Sequence, residues 1–292
     1  MNSGEGRASA LEEAMEDLIE KKSYCTDVIR AFRAAIIARN RLVERLELDR
    51  MEPWKPDEIK FRGGLPIIRQ HGLFLEKDPW KEIADAMIPA LQEGLPHLRN
   101  DLERLRTCLD NGSIDLFDYF KAYADEPETL LGQWAALCDA DPLSVGLFLN
   151  DAARIILAIR AKEMAPVIEG LLWEKGYCPV CSAFPMLSVI GDKGQRRLHC
   201  SLCGHEWRFK RTLCPFCEYE GQAGMTYFYV ENEKNESVFA CERCGRYLPT
   251  INVADALTGF NSDLAAIGLI HLDFIMQEQG FQPMAPCVWN RF

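Results

Sequence analysis

The sequence predicts an α+β protein, in which an N-terminal all-helical domain is followed by two tandem metal-binding modules and a C-terminal helix. Two observations support this prediction. Apolar residues recur three or four positions apart through most of the first 175 residues, which is typical of amphipathic helices. After residue 176, four Cys-x-x-Cys pairs, glycines and short β-prone runs replace that pattern, as expected for small hairpins held by metal.

Several helices are predicted within the N-terminal domain. The apolar spacing over residues 11–48 indicates one or two of them. The dipeptides Asp78-Pro79 and Asp141-Pro142 each predict a helix start, with the acid as N-cap and proline at the first helical position. Residues 50–78 are predicted to be an irregular connection, because glycine and proline interrupt the periodicity there.

The change of pattern sets the predicted domain boundaries. The helical domain covers residues 1–175, the first metal-binding module 176–211 and the second 212–250, and a C-terminal helix and tail occupy 251–292. Within the last segment, residues 263–279 are amphipathic and are predicted to form a helix that packs back onto the body.

Composition and charge exclude several classes of protein. The 292 residues, 48% of them hydrophobic, suffice for about two domains with a core. A formal net charge of -11 argues against general affinity for nucleic acid or anionic membranes. The N-terminus lacks the layout of a signal peptide, and no apolar run approaches the roughly 20 residues of a membrane span. We therefore expect a cytoplasmic protein, in which cysteines bind metal rather than form disulfides.

Eight of the twelve cysteines are candidate metal ligands. Two intervening residues form a tight knuckle that directs both sulfurs at one ion, and a second knuckle completes a tetrahedron. One pair alone is half a site. The four pairs are Cys178 and Cys181, Cys200 and Cys203, Cys214 and Cys217, and Cys241 and Cys244.

The spacing between the pairs predicts which of them share a metal. There are 18 residues between the first and second pairs and 23 between the third and fourth, lengths that suit a β-hairpin. Only ten residues separate the second pair from the third. Sequential pairing is therefore predicted, with the first two pairs on one ion and the last two on another. Crossed pairing is the alternative.

The repeated unit, two knuckles around a hairpin, is typical of zinc-ribbon and rubredoxin-like modules. Each module is too small to fold alone, so bound metal should supply much of its folding free energy. Zinc and iron both accept four tetrahedral thiolates, and the sequence leaves the choice between them open. Structural cystines or a thioredoxin-type redox pair are the rival explanations, but neither accounts for all four pairs.

Other chemically capable residues are interpreted more simply. His199 and His205 flank the second pair, and hydrogen bonding near the site is preferred over ligation because eight thiolates already fill two sites. The basic residues Arg208, Lys210 and Arg211 alternate with aromatic ones, which fits a solvated or protein-docking face better than a nucleic-acid site. The remaining cysteines are predicted to pack as small apolar side chains, and these are Cys25, Cys108, Cys138 and Cys287.

The sequence shows no catalytic grouping of the common kinds. There is no Ser/His/Asp arrangement, phosphate-binding glycine loop or carboxylate pair with metal-ligand spacing. A catalytic zinc needs an open coordination position, whereas two tetrathiolate sites have none. The sequence therefore predicts a protein that is not an enzyme.

The cysteine region resembles a known family, the FdhE-type accessory proteins of formate dehydrogenase. The resemblance rests on the order and spacing of four motifs within residues 178–281. They are Cys178-Pro179-Val180-Cys181, Leu198-His199-Cys200-Ser201-Leu202-Cys203 followed by Glu206-Trp207, Cys214-Pro215-Phe216-Cys217, and Cys241-Glu242-Arg243-Cys244-Gly245 with Tyr247-Leu248.

The resemblance implies a cytoplasmic protein with a helical domain and two rubredoxin-like modules. Such a protein takes part in the maturation of respiratory formate dehydrogenases, binds their catalytic subunit and is not itself a dehydrogenase. The sequence therefore predicts an assembly factor with two metal ions, iron or zinc, held by eight thiolates. The alternatives are a rubredoxin-like iron protein that transfers electrons and a zinc-ribbon protein that binds nucleic acid.

Overall fold

The computed structural model describes residues 3–52, 54–123, 127–191, 193–221, 223–230, 233–252 and 260–290. Its internal contacts divide the chain into two compact units. The first unit comprises Met1–Lys21, Thr26–Lys55 and His71–Glu163, and the second comprises Lys22–Cys25, Pro56–Gln70 and Met164–Phe292. Helices and a sheet are both present, which confirms the predicted α+β class.

The described helices are α1 (Ser3–Lys21), α2 (Thr26–Arg45), α3 (Glu58–Arg62), α4 (Ile67–Gln70), α5 (Trp80–Gly94), α6 (Arg99–Asp110), α7 (Leu116–Lys121), α8 (Pro127–Leu137), α9 (Pro142–Ile168), α10 (Ser262–Gly268) and α11 (Ile270–Glu278). Short 3-10 turns cover Ser23–Cys25 and Pro96–Leu98. The described strands are β1 (Pro185–Ile190), β2 (Arg196–Cys200), β3 (Glu206–Phe209), β4 (Met225–Val230), β5 (Glu233–Cys241), β6 (Arg246–Asn252) and β7 (Gln282–Pro283).

Helix α2 packs against α1 and α5 in the first unit. The approach to α5 is close at Gly94, where an added Cβ would lie 2.0 Å from the carbonyl oxygen of Ala31. Only glycine fits that position without a backbone shift. Stacked aromatic rings extend this core, with the rings of Trp80 and Phe120 4.9 Å apart and those of Phe74 and Phe120 4.8 Å apart.

Two buried ion pairs hold the longest helix, α9, within the first unit. Arg39 pairs with Asp151, and Arg160 donates to Asp78 at 2.8 Å with both side chains fully enclosed. Asp78 also accepts from the backbone N–H of Leu75. The predicted N-cap role of Asp78 is therefore wrong, since α5 begins at Trp80 and Asp78 serves the ion pair. Asp141 does cap its helix, accepting from the N–H of Leu143 at 2.7 Å.

Helix α9 meets the length and hydropathy criteria for a membrane span, with a mean hydropathy of 1.5 over its most apolar window. The expectation that no uninterrupted apolar run approaches 20 residues still holds, because Asp151, Arg154 and Arg160 interrupt this helix. However, 56% of that window is buried. The helix also carries the buried polar residues Ser144, Asp151 and Arg160, whose partners lie in the first unit. These are the features of a core helix.

The predicted irregular connection over residues 50–78 contains two short helices, α3 and α4. Asp57 caps α3 by accepting from the N–H groups of Ile59 and Lys60, both at 3.0 Å. Phe61 and Ile67 are buried, and Phe61 lies against the ring of Trp173 at 4.7 Å. Glycine and proline limit both helices to five residues or fewer, and such short segments show no apolar periodicity from which a helix could be predicted.

Seven described strands form one sheet in the order β3-β2-β1-β6-β5-β4, with β7 paired to β6. The predicted hairpins are present, as β1 with β2 and β4 with β5, both antiparallel. A parallel pairing of β1 with β6 joins the two modules into one continuous sheet. At this junction the hydroxyls of Ser188 and Thr250 are buried and 2.7 Å apart.

The predicted C-terminal helix over 263–279 is divided into α10 and α11 at Leu269. The carbonyl of Gly268, at the break, accepts from the Lys22 ammonium at 2.8 Å and the Tyr24 hydroxyl at 3.2 Å. Side chains thus satisfy an oxygen that a continuous helix would bond internally. The predicted segment 251–292 also includes residues 253–259 and 291–292, which lie outside the described residues.

Whether the predicted domains fold separately stays a prediction, because the two compact units are defined by contacts alone. The contacts of residues 22–25, 56–70 and 164–175 belong to the second unit, although the predicted helical domain includes them. These segments carry helices or turns and have no cysteine pair, so the sequence offered no signal for this assignment.

Candidate metal centres

The first cysteine group lies at the base of the β1–β2 hairpin and is buried throughout. Its four Sγ atoms are all within 4.8 Å of one another. Cys178 and Cys203 are 3.5 Å apart at sulfur, and Cys181 and Cys200 are 3.3 Å apart. These contacts are far longer than a disulfide bond of about 2.05 Å.

The second cysteine group lies at the ends of β4, β5 and β6 and is less enclosed. Its four Sγ atoms also lie within 4.8 Å of one another, but Cys217 and Cys244 are only half-buried. The sulfur distances are 3.8 Å from Cys214 to Cys244 and 3.8 Å from Cys217 to Cys241. The structure thus brings together the two sets of four thiols that sequential pairing predicts.

Both groups have the dimensions of a tetrathiolate metal site. In a tetrahedron with metal–sulfur bonds of about 2.3 Å, neighbouring sulfurs are about 3.8 Å apart. The measured distances of 3.3–3.8 Å approach that value. Four thiolates around a divalent ion leave no open position, and this donor set suits zinc or iron equally.

The residue after each Cys-x-x-Cys pair has a left-handed backbone conformation. The φ angles are 66° at Ser182, 69° at Gly204, 56° at Glu218 and 67° at Gly245. This turn closes the knuckle. In the first knuckle, for example, the N–H of Ser182 donates to the carbonyl of Cys178 at 3.0 Å. The glycines after the second and fourth pairs adopt this conformation without strain.

Backbone N–H groups also point at the sulfurs of the first group. Val180 donates to Cys178 at 3.4 Å, and Leu202 and Cys203 donate to Cys200 at 3.4 Å. Such hydrogen bonds stabilise thiolate and thereby favour a bound metal ion.

Helix α4 braces the first knuckle, which the sequence did not reveal. The N–H groups of Ile67 and Ile68 donate to the carbonyls of Pro179 and Val180 at 2.8 and 2.9 Å. Nearby, the hydroxyl of Tyr177 donates to the carbonyl of Gly64 at 2.6 Å. Both contacts link residues more than 100 positions apart, and no local motif predicts them.

The thiols influence each other's ionisation strongly. Burial raises the pKa of Cys178 and Cys203 well above the ordinary value. Burial also opposes ionisation of Cys200, but hydrogen bonds from the other three thiols prevail and lower its pKa. In the second group burial raises the pKa of Cys214 to about 12. A cation bound between the sulfurs would offset the cost of burying the thiolates and so favour their ionisation.

Neither candidate histidine joins a cysteine group among the described residues. The Nδ1 of His199 lies 3.6 Å from a carboxylate oxygen of Glu206, and burial lowers the pKa of this imidazole to about 4. Burial likewise lowers the pKa of His205. Burial thus favours the neutral form of both imidazoles.

The other four cysteines lie outside both groups. Cys25 is buried and its thiol donates to the carbonyl of Ile267 at 3.2 Å, and Cys138 is also buried. Cys108 and Cys287 are half-buried. The prediction that they pack as small apolar side chains fits Cys25 and Cys138 best.

Comparisons with known proteins agree with this geometry. A family model described as "FdhE, central domain" matches residues 177–211, which contain the first cysteine group. A curated relative from Edwardsiella ictaluri, "Protein FdhE homolog", is 29% identical over 229 residues, covering 75% of this chain and 67% of the relative. The chain is thus similar to FdhE proteins over most of its length.

Other FdhE relatives match a shorter segment. The FdhE homolog of Aquifex aeolicus is 35% identical over 114 residues, and FdhE of Escherichia coli O1:K1 / APEC is 30% identical over 115 residues. The matched segments span 40% and 35% of these two relatives, less than half of their length.

The fold is also that of an FdhE protein. The crystal structure of FdhE from Pseudomonas aeruginosa superposes with a TM-score of 0.65 and 20% sequence identity. The superposition covers 97% of this chain and 93% of the other. Both the helical part and the sheet thus recur in an experimentally determined FdhE structure.

Proposed function

We propose that this chain is an assembly factor for formate dehydrogenase, which binds the catalytic subunit in the cytoplasm during maturation of that enzyme. Similarity to FdhE proteins supports the role, and one structural observation supports it most strongly. Each of the two thiol groups is a complete set of four ligands, which suits a stable binding module better than a site of chemistry.

In this proposal the eight cysteines hold two metal ions, which are zinc or iron. When bound, each ion links two knuckles and so fixes the ends of a hairpin. The chain's own residues supply the rest of the rigidity. Hydrogen bonds from Val180 and Leu202 to sulfur and from α4 to the first knuckle hold the loops in place.

The donor set argues against hydrolytic chemistry at these ions. A Lewis-acid site needs a coordination position for water or substrate. Four sulfurs at 3.3–3.8 Å from their neighbours occupy all the corners of a tetrahedron. The proposed role is therefore recognition of a client protein, and not catalysis.

Co-purification tests the proposal directly. The tagged full-length chain, purified with its metal, is mixed with a formate dehydrogenase catalytic subunit, and the retained protein and metal content are measured. We expect one-to-one retention and two metal ions per chain. The variant Cys214→Ser/Cys217→Ser should hold one ion and retain less of the subunit.

A matched control removes two thiols elsewhere. Cys108→Ser/Cys287→Ser changes two half-buried cysteines outside both groups and should leave the metal content and binding unchanged. Failure of the metal-loaded chain to retain the subunit, under conditions where the client is folded, would refute the assembly role.

The second cysteine group also favours another function, electron transfer of the rubredoxin kind. Cys217 and Cys244 are half-buried, and partial exposure is what an iron site needs for contact with a redox partner. Anaerobic isolation and absorption spectroscopy decide between the two. Zinc alone, with no visible absorption, would exclude electron transfer and leave the assembly role standing.

A further inference from the structure

A cavity of about 590 Å³ lies in the second unit, and its wall includes Leu213 and Glu218 on either side of the third knuckle. Its wall includes the residues before the first knuckle, the start of β2 and the end of β3. This volume is typical of small-molecule pockets. Five cationic side chains line it, and they are Lys175, Arg196, Arg208, Lys210 and Arg211.

Most of this positive charge has no counter-ion. The two acids in the cavity wall are Glu174 and Glu218, and Glu218 already pairs with Lys175 at 3.0 Å. Within the described part of the chain, the other four cations form no ion pair. A local excess of positive charge in a chain of net charge -11 indicates a site for an anion.

Arg196 is the most unusual of these residues. Its side chain is 2% exposed, and none of its three guanidinium nitrogens has a hydrogen-bond partner among the described residues. The guanidinium lies over the ring of Phe239 at 4.6 Å, and the Cys214 thiol and the Tyr227 hydroxyl are close enough to act on its charge. Burying a cation without an ion-pair partner is destabilising, and an anion bound nearby would offset that cost.

Arg211 brings a second guanidinium to the same wall. An added Cβ at Gly194 would meet its Nη1 at 3.4 Å, so the head group of Arg211 rests against the turn before β2. Arg211 and Lys210 are exposed and can reach a ligand directly. The basic run predicted to form a solvated or protein-docking face thus lies beside a cavity.

We propose that this cavity binds a small molecule through its phosphate groups. Guanidinium groups pair with phosphate through two parallel hydrogen bonds, and four cations suit a multivalent anion. Leu172 and Trp173 also line the cavity and provide apolar surface for an organic part. The shared chemistry is phosphate, which comes either free or as part of a nucleotide.

Calorimetry on the metal-loaded full chain tests the proposal at constant ionic strength. The probes are inorganic phosphate, pyrophosphate and adenosine diphosphate. We expect saturable binding of at least one probe at one site per chain. Stronger binding of adenosine diphosphate than of pyrophosphate would identify the nucleotide as the source, and equal binding of these two would identify the phosphate groups alone.

The variant Lys210→Ala/Arg211→Ala should weaken binding at least tenfold. Arg197→Ala is the matched control, because Arg197 does not line the cavity, pairs with Glu206 at 3.2 Å and should leave affinity within twofold. Arg196→Met should weaken binding and raise the melting temperature of the ligand-free chain. The absence of binding at millimolar concentrations, or equal weakening by the control, would overturn the proposal.

Discussion

At the scale of single residues, the cysteine knuckles depend on left-handed positions that the sequence only half reveals. Gly204 and Gly245 are the residue type expected after a knuckle, whereas Ser182 and Glu218 adopt the same conformation with a side chain. A left-handed conformation costs an L-residue about 1–2 kcal/mol. The first and third knuckles therefore carry strain that the other two avoid.

Replacing Ser182 with glycine should relieve that strain. We expect Ser182→Gly to raise the free energy of unfolding of the metal-loaded chain by about 0.5–1 kcal/mol, measured by chemical denaturation. Gly204→Ala should lower it by about 1 kcal/mol, since only φ and no neighbour opposes the added Cβ. Ser201→Gly, within a knuckle but without a positive φ, is the control and should destabilise. A stabilising Ser201→Gly would contradict this explanation.

A buried carboxyl on α11 makes stability depend on pH. Burial raises the pKa of Asp273 to about 7. The hydrogen bond from the Tyr247 hydroxyl, at 2.5 Å, lowers this pKa but offsets only part of the rise. Between about pH 4 and pH 7 the folded chain keeps a proton here that the unfolded chain releases. This contribution to stability is full below pH 4 and is lost as the pH rises to 7.

Asp273→Asn keeps an acceptor for Tyr247 and removes the titration. At pH 8 the variant should exceed the wild type in free energy of unfolding by up to about 4 kcal/mol, and the advantage should shrink as the pH falls to 5. Glu278→Gln removes the same charge from an exposed position of α11 and should show no such trend. An Asp273→Asn effect that is identical at both pH values would exclude this origin.

At the scale of elements, helix α4 stabilises the first knuckle through its backbone. Its first N–H, from Ile67, donates to the carbonyl of Pro179. Because the contact uses main-chain atoms, its contribution is independent of the isoleucine side chain, which is itself fully buried.

Two substitutions at Ile67 separate these contributions. Ile67→Ala removes the side chain alone, and Ile67→Pro also removes the N–H, which should cost about 1 kcal/mol more. We expect a chelator to take the metal of the first group faster from the proline variant than from the alanine variant. Equal rates would mean that the brace does not hold the knuckle.

At the scale of the whole molecule, the two metal groups differ in enclosure. All four thiols of the first group are buried, whereas Cys217 and Cys244 of the second are half-buried. A chelator reaches an exposed site first, and each structural metal contributes on the order of 10 kcal/mol to folding.

Chelation should therefore remove metal in two phases and unfold the β-sheet before the helices. The measurements are metal release with a colorimetric chelator and circular dichroism in parallel. Cys217→Ser should abolish the fast phase and spare the slow one, while Cys108→Ser changes neither. Single-phase release with concerted loss of helix would show that the two units depend on one another for stability.

Much of the architecture was predictable from local pattern. Helical periodicity and the acid at Asp141 indicated helices, and the spacing of the four cysteine pairs indicated the hairpins and the composition of both thiol groups. All of these signals depend on residues close in sequence. Asp78 marks the limit of such signals. It stands in the sequence where an N-cap is expected, but its carboxylate instead accepts a hydrogen bond from the buried Arg160, 82 positions away.

By itself, the sequence determined the class of fold and which eight thiols belong together, because a knuckle and its hairpin are local structures. Only the tertiary structure decided that β1 pairs with β6 to join both modules in one sheet, that α4 braces the first knuckle and that one cavity is lined by four cations with no ion pair among the described residues. These features arise from contacts between distant segments, where burial and hydrogen bonding override local preference.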